Sequence, residues 1–226
     1  MKFKKLINAP IFNSSRVLRY AGLHLVESET LTDHTCEISL LCLILYKDIK
    51  KSFPSVQLDL GKLLERALVH DLEETITNDI PRPVKYYLPQ MKDLMDKVSE
   101  NYMDIISKQI GVDLSTEWKV CKDKSLEGYI IKVSDMILVA RKACREIALK
   151  SNLEMVSVLK EVIHYMNDLS DQFEKVIAEI DQEDDFYFVM KMLHNLILEA
   201  LRTCRNLDYK VAKDLFESID FVDRIS

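Results

Sequence analysis

Four residues of this chain carry donor atoms at spacings that separate helices can bring together: His34 in Thr32-Asp33-His34-Thr35, the doublet His70-Asp71, and Asp135 in Lys132-Val133-Ser134-Asp135. Neutral imidazole and carboxylate are the mixed N/O donors that hold divalent transition ions. Glu74 stands three residues beyond Asp71, where a carboxyl group can take or give a proton beside such an ion. The string Thr77-Asn78-Asp79-Ile80-Pro81-Arg82-Pro83 follows at once and places a further carboxylate, Asp79, ahead of two prolines. The chemistry on offer is a mononuclear metal site with an acid/base group attached.

The elements that must position these residues are helical. Gly (4) and Pro (5) are scarce in 226 residues, so tight turns are few. The pattern predicts a short helix or turn over Arg16 to His24 after an irregular lead-in, 1–15. A helix is predicted from Thr32, whose hydroxyl caps it, to Ile49, with a break at Ser52-Phe53-Pro54. A second runs from Leu58 to Thr75, and Pro81 and Pro83 push Asp79 to Pro83 toward extended geometry. Helices follow over Leu88 to Ile110, stopped by Gly111, then Lys124 to Ala148 and Glu154 to Ile180. After a solvated acidic connection, Asp181 to Asp185, the last two are Phe186 to Leu207 and Tyr209 to Phe221.

Helical periodicity tests whether the donors face inward. With Leu60 at zero and 100° per residue, Leu63, Leu64, Ala67 and Leu68 fall within about 80° of it. Asp71 falls at about 20°, Glu74 at about 320° and His70 at about 280°, on or beside the apolar stripe. Lys62, Glu65, Arg66 and Glu73 fall opposite, so Glu73 is expected to face solvent and Glu74 to face in. His34 shares a face with Ile38, Leu41 and Leu45, and Asp135 lies in a run apolar on most sides. Buried carboxylates and imidazoles are costly unless an ion, a charge partner or hydrogen bonds compensate. Any one of them has an ordinary reading as a hydrogen-bonded core residue. Five on inward faces favour a shared partner.

The same residues carry a resemblance. From Arg19 to Glu146 the chain resembles the HD-domain phosphohydrolases, and within them the bacterial 5′-deoxynucleotidases (YfbR-like). The likeness is strongest over His70-Asp71-Leu72-Glu73-Glu74-Thr75-Ile76-Thr77-Asn78-Asp79-Ile80-Pro81-Arg82-Pro83-Val84-Lys85-Tyr86. There the family reads as a His-Asp doublet, a glutamate three residues on, and a Gly-Asp-Ile/Leu-Pro-x-Pro-Val-Lys-like string. The chain departs from it in having Asn78 where Gly is common and Tyr20 where relatives carry Trp. The resemblance implies an all-α HD-domain helical bundle with additional C-terminal helices. It implies one divalent ion held by His34, His70, Asp71 and Asp135, with Glu74 and Asp79 in the active site and Arg19-Tyr20 near a nucleotide.

The implied reaction is removal of the 5′-phosphate from deoxyribonucleoside monophosphates. The N/O set suits Co, Mn, Zn, Fe or Ni better than Mg or Ca. Arg19 offers a guanidinium fork for phosphate, or else an ion pair. Asp79 can accept from a sugar 3′-hydroxyl, or cap a turn. Tyr20 can pack on sugar or base, or fill the core. Lys85 and Lys132 can add positive potential, or remain a solvated lysine and a partner of Asp135. Two alternatives stay open: a deoxynucleoside triphosphate hydrolase, which would aim more basic residues at the ion, and a non-catalytic HD regulatory module, which would bind no metal.

Composition sets the remaining expectations. A formal charge of −6 argues against a polymeric nucleic-acid partner. Five cysteines without a C-x-x-C pair fit free thiols in a reducing, cytoplasmic setting. Met1 to Ile11 lacks the apolar core of a signal peptide, and the apolar run Ile38 to Tyr46 is too short to span a membrane. His24, His164 and His194 are expected to be structural or at the surface. The chain is read as one domain overall, with a catalytic core over 1–150 and C-terminal helices over 151–226 that pack on the core or form a homodimer interface.

Overall fold

The computed structural model describes residues 9–85 and 87–223, without the side chains of Arg82, Pro83, Pro89, Lys150 and 215–223. Tyr86 of the matched string, the Arg82 side chain and the lead-in before Ala9 therefore lie outside the described residues. Among the described residues the protein is helical, with one isolated antiparallel bridge, Leu18 to Thr30. No helix of the described residues is long and apolar enough to cross a membrane.

The helices are α1 (Leu31–Ser52), α2 (Leu60–Val69), α3 (Glu74–Thr77), α4 (Arg82–Lys85), α5 (Pro89–Ile110), α6 (Ser115–Lys119), α7 (Leu126–Lys150), α8 (Met155–Glu179) and α9 (Asp185–Asp223). A 3-10 helix, Pro10–Arg16, precedes them, where the sequence suggested an irregular lead-in. The chain forms two compact units, Met1–Ser134 and Asp135–Ser226, and the division falls inside α7.

In the first unit α1 packs on α2 and on the 3-10 helix. Its buried residues, Leu31, His34, Ile38, Cys42, Leu45 and Ile49, recur at helical spacing, so His34 is carried on a core stripe. The helix starts one residue earlier than expected. Its N-cap is Thr30, which forms a capping box with Asp33, whereas the Thr32 hydroxyl bonds Ser14 Oγ at 2.8 Å. Gly111 closes α5 at φ +74°, a conformation that favours glycine. In the second unit α8 and α9 bury Leu159, Met166 and Phe173 against Met190, Leu193 and Ile197. There Phe173 stacks on His194, which also bonds Ser170 Oγ at 2.7 Å, while His164 is exposed.

Three predicted elements differ. The Leu58 to Thr75 helix stops at Val69, and residues 70–76 turn through hydrogen bonds to the carbonyl three residues back, such as Leu72 N–H to Val69 O at 3.0 Å. The pattern predicts neither α6 nor α4, which takes Arg82 and Pro83 into a helical turn where the prolines suggest extended chain. The two C-terminal helices are one, because Asp208 costs a helix interior only a fraction of about 1 kcal/mol and neither Gly nor Pro stands beside it.

Replacing Thr30 with Ala is expected to lower unfolding stability by about 1 kcal/mol in urea titrations. Replacing Thr32 should cost less, and the reverse order would contradict the observed cap. Hydrogen bonds from the Thr30 amide and hydroxyl hold the Asp33 carboxyl below its ordinary range. A lowered folded value stabilises above the unfolded one and is lost as pH falls through it, so the Asp33→Ala deficit should shrink in acid.

Candidate metal centre

His70 is the pivot of the site. It caps the C-terminus of α2, and its Nδ1 lies 2.8 Å from the Ala67 carbonyl oxygen. A carbonyl can only accept, so Nδ1 carries a proton, and in the neutral imidazole that binds metals Nε2 presents a lone pair. That Nε2 is buried, makes no hydrogen bond, and lies 3.0 Å from Asp71 Oδ2. Two acceptors facing each other at that distance in the interior repel unless a cation lies between them. His34 joins from α1: its Nε2 is 3.9 Å from the same Asp71 oxygen, and the two imidazole centroids are 5.7 Å apart. His34, His70 and Asp135 form a group with donor atoms within 4.8 Å of one another, and all three are buried. Donors bonded at about 2.0–2.2 Å to one ion are spaced in this range. The residues present fit a divalent ion.

A loop closed on itself adds the next layer. The Leu18–Thr30 bridge and the Arg19 N–H bond to the Glu29 carbonyl (2.9 Å) set Arg19 and Glu29 side by side. Glu29 Oε1 lies 3.2 Å from Arg19 Nε and 3.4 Å from His34 Nδ1, so one carboxylate orients both a guanidinium and an imidazole. Arg19 is buried, and its Nη1 reaches Asp71 Oδ2 at 3.5 Å and Glu74 Oε2 at 4.0 Å. Glu74 opens α3 with Oε2 buried and without a hydrogen bond. Burial and the neighbouring Asp71 raise its carboxyl well above the ordinary range, with Arg19 opposing.

The remaining sequence candidates fall into place unevenly. Asp79 accepts the Tyr20 amide through Oδ2 at 2.7 Å, tying the string after α3 to the Arg19 loop. Tyr20 takes φ +57°, with its ring 5.5 Å from the Arg19 guanidinium carbon. Asn78 sits at φ +61°, ψ 171°, a glycine-favouring conformation that accounts for the Gly expected there. Lys85, on α4, is half-buried, and its charge opposes the rise of the Glu73 carboxyl. Lys132 does not serve the centre as suggested: its Nζ bonds the Asp123 carbonyl at 3.1 Å.

Three expectations from the helical wheel need correction. Arg66 and Glu73 were placed in solvent, but both are buried. The reason is α6, which covers that flank: Arg66 Nε bonds Glu117 at 2.8 Å, and Trp118 Nε1 donates to Glu73 Oε2 at 2.7 Å. Burial, with Asp71 alongside, pushes the Glu73 carboxyl up to about 7. Leu68, expected on the stripe, is 55% exposed at its far edge. Sequence reasoning also missed Glu29 and Lys122. No motif marks Glu29, and Lys122 reaches Asp71 Oδ1 at 3.8 Å from a loop whose course depends on Arg66.

Comparison with known proteins defines the class. The fold is that of the HD-domain phosphohydrolases. An HD-domain phosphohydrolase from Listeria innocua matches with TM-score 0.64 at 18% identity, covering 95% of this chain and 100% of that one. The cyanophage S-2L HD phosphohydrolase bound to dA and one catalytic Zn2+ ion matches with TM-score 0.55 at 18% identity, covering 88% and 96%. A family model described as "5′-deoxynucleotidase YfbR-like" matches residues 9–196, and the chain belongs to that family of hydrolases. A 5′-deoxynucleotidase from Pasteurella multocida is 23% identical over 131 residues, 56% of this chain and 67% of that enzyme. One from Pectobacterium atrosepticum is 21% identical over 182 residues, 74% and 91%.

His70→Ala and Asp71→Ala protein, loaded with Co or Mn and desalted, should retain well under half the metal of wild type by mass spectrometry. Retention at the wild-type level would place the ion elsewhere.

Proposed function

We propose that the protein hydrolyses the 5′-phosphate of deoxyribonucleoside monophosphates, with one divalent ion held by His34, His70, Asp71 and Asp135. All four lie within 1–150, which we take as the catalytic core. The observation that carries the reading is the buried lone pair of His70 Nε2 against Asp71 Oδ2, 3.0 Å away. The donor set favours Co, Mn, Zn, Fe or Ni. When bound, such an ion supplies Lewis-acid polarisation of a phosphoryl oxygen and lowers the pKa of water.

The chain's own residues do the rest. Arg19 is pre-oriented by Glu29 and offers its guanidinium to the phosphate. Glu74, buried and with its carboxyl raised above the ordinary range, is placed to exchange a proton with water or the leaving O5′. Asp79 is anchored by the Tyr20 amide and accepts from the 3′-hydroxyl. Tyr20, in its constrained backbone conformation, packs on the sugar or base. Lys85 adds positive potential near Glu73.

Charge favours a monophosphate over a triphosphate. Arg19 and Lys122 both form ion pairs with Asp71. Lys132 is engaged with the Asp123 carbonyl. The two positive charges of Arg19 and Lys122 match a monophosphate dianion.

The test is phosphate release from deoxy- and ribonucleoside mono- and triphosphates with Mn, Co, Zn or Mg. Inorganic phosphate from deoxynucleoside monophosphates is expected, and Glu74→Gln should lower kcat roughly 10²–10⁴-fold. Triphosphate release from deoxynucleoside triphosphates would replace this reading with the triphosphate hydrolase. No turnover with any ion would leave a binding module.

A further inference from the structure

We infer that Lys122 is a second phosphate-binding residue of the site, taking one oxygen of a phosphate monoester dianion while Arg19 takes another. The inference rests on the proposed function for its ligand class.

Geometry is its first support. The Asp71 carboxylate has two differently engaged oxygens. Oδ2 faces His70 Nε2 at 3.0 Å and His34 Nε2 at 3.9 Å. Oδ1 faces Lys122 Nζ at 3.8 Å. Arg19 Nη1 approaches from the Oδ2 side at 3.5 Å. The two cations therefore flank one carboxylate at different oxygens. The Lys122 side chain is 32% exposed, against 16% for Asp71 and 10% for Arg19, so its ammonium sits where an incoming ligand can reach it.

The second support is how firmly its loop is held. An ordinary surface lysine sits on a mobile stem. The backbone around Lys122 is pinned on both sides. Cys121 N–H bonds the Trp118 carbonyl at 3.2 Å, and Trp118 is itself fixed to Glu73. Asp123 accepts the Ser125 amide at 2.8 Å and is bonded by the Ser125 hydroxyl, and Arg66 Nη1 donates to that hydroxyl oxygen at 2.9 Å. Gly128 closes the arrangement: a Cβ there would lie 2.5 Å from the Asp123 carbonyl oxygen, so only glycine lets α7 begin this close to the loop. Pre-positioned cations bind a dianion with less ordering cost.

The third support is charge balance. The Glu29 and Asp71 carboxylates stand at the centre and repel a dianion unless cations oppose them. Arg19 is already shared among Glu29, Asp71 and Glu74. A second cation beside the same carboxylate restores attraction for phosphate.

The experiment titrates inorganic phosphate calorimetrically into the full chain loaded with Mn, as wild type, Lys122→Met and Lys122→Arg. Metal content and thermal midpoint are measured on each. Phosphate binding should weaken about tenfold in Lys122→Met and return within about threefold in Lys122→Arg, with metal content equal to wild type. Unchanged phosphate affinity in Lys122→Met would overturn the inference. Loss of metal in parallel with phosphate would also overturn it, since Lys122 would then serve only to order Asp71. Should the wild type hydrolyse no nucleotide yet bind phosphate through Lys122, the proposed function fails and this inference stands.

Discussion

A lone pair with nowhere to go organises this protein. The Ala67 carbonyl fixes the His70 proton on Nδ1, which turns a bare Nε2 toward a carboxylate oxygen 3.0 Å away in the interior. In low dielectric that arrangement costs free energy, and a cation between the two atoms converts the cost into binding. The rest of the first unit is arranged around that point. α1 delivers His34 to the same carboxylate, and the Arg19–Glu29 loop holds His34 from its other nitrogen.

The layers outside the centre act through rigidity. Arg66 reaches from α2 to Glu117 and Ser125, and Glu73 accepts from Trp118, so α6 and the loop after it are fastened to the helix that ends in His70. A buried ion pair contributes little net stability once desolvation is counted, but breaking one partner leaves an uncompensated charge. Its use here is to fix where Lys122 and Asp71 stand. The second unit holds a separate buried set. Lys142 and Asn152 both bond Glu146, and Phe173 lies under His194.

Much of this was legible in the sequence. The helical spacing of Leu31, His34, Ile38, Cys42, Leu45 and Ile49 announces a core stripe with a histidine in it. The inward placement of His70 and Glu74 followed from Leu63 and Ala67. What the periodicity could not give was the covering of α2 by α6. A five-residue helix has too short a period to read, and without it Arg66 and Glu73, near 240° and 220° on the helical wheel, looked like a solvated face. The pairing of Arg66 with Glu117 and of Glu73 with Trp118 is a tertiary fact. Glu29 was invisible for a similar reason: its partners, Arg19 and His34, meet it only after the Leu18–Thr30 bridge closes. Thr32 looked like the cap because it precedes the apolar run, but the reciprocal bonds of Thr30 and Asp33 place the helix start earlier.

The most direct test of the account is an anomalous difference map from crystals of the protein grown with Co. The account predicts one strong peak bonded to His70 Nε2 and Asp71 Oδ2, with His34 and Asp135 completing the protein ligands. A map with no peak between His70 and Asp71, or with its strongest peak at another cluster, would contradict it.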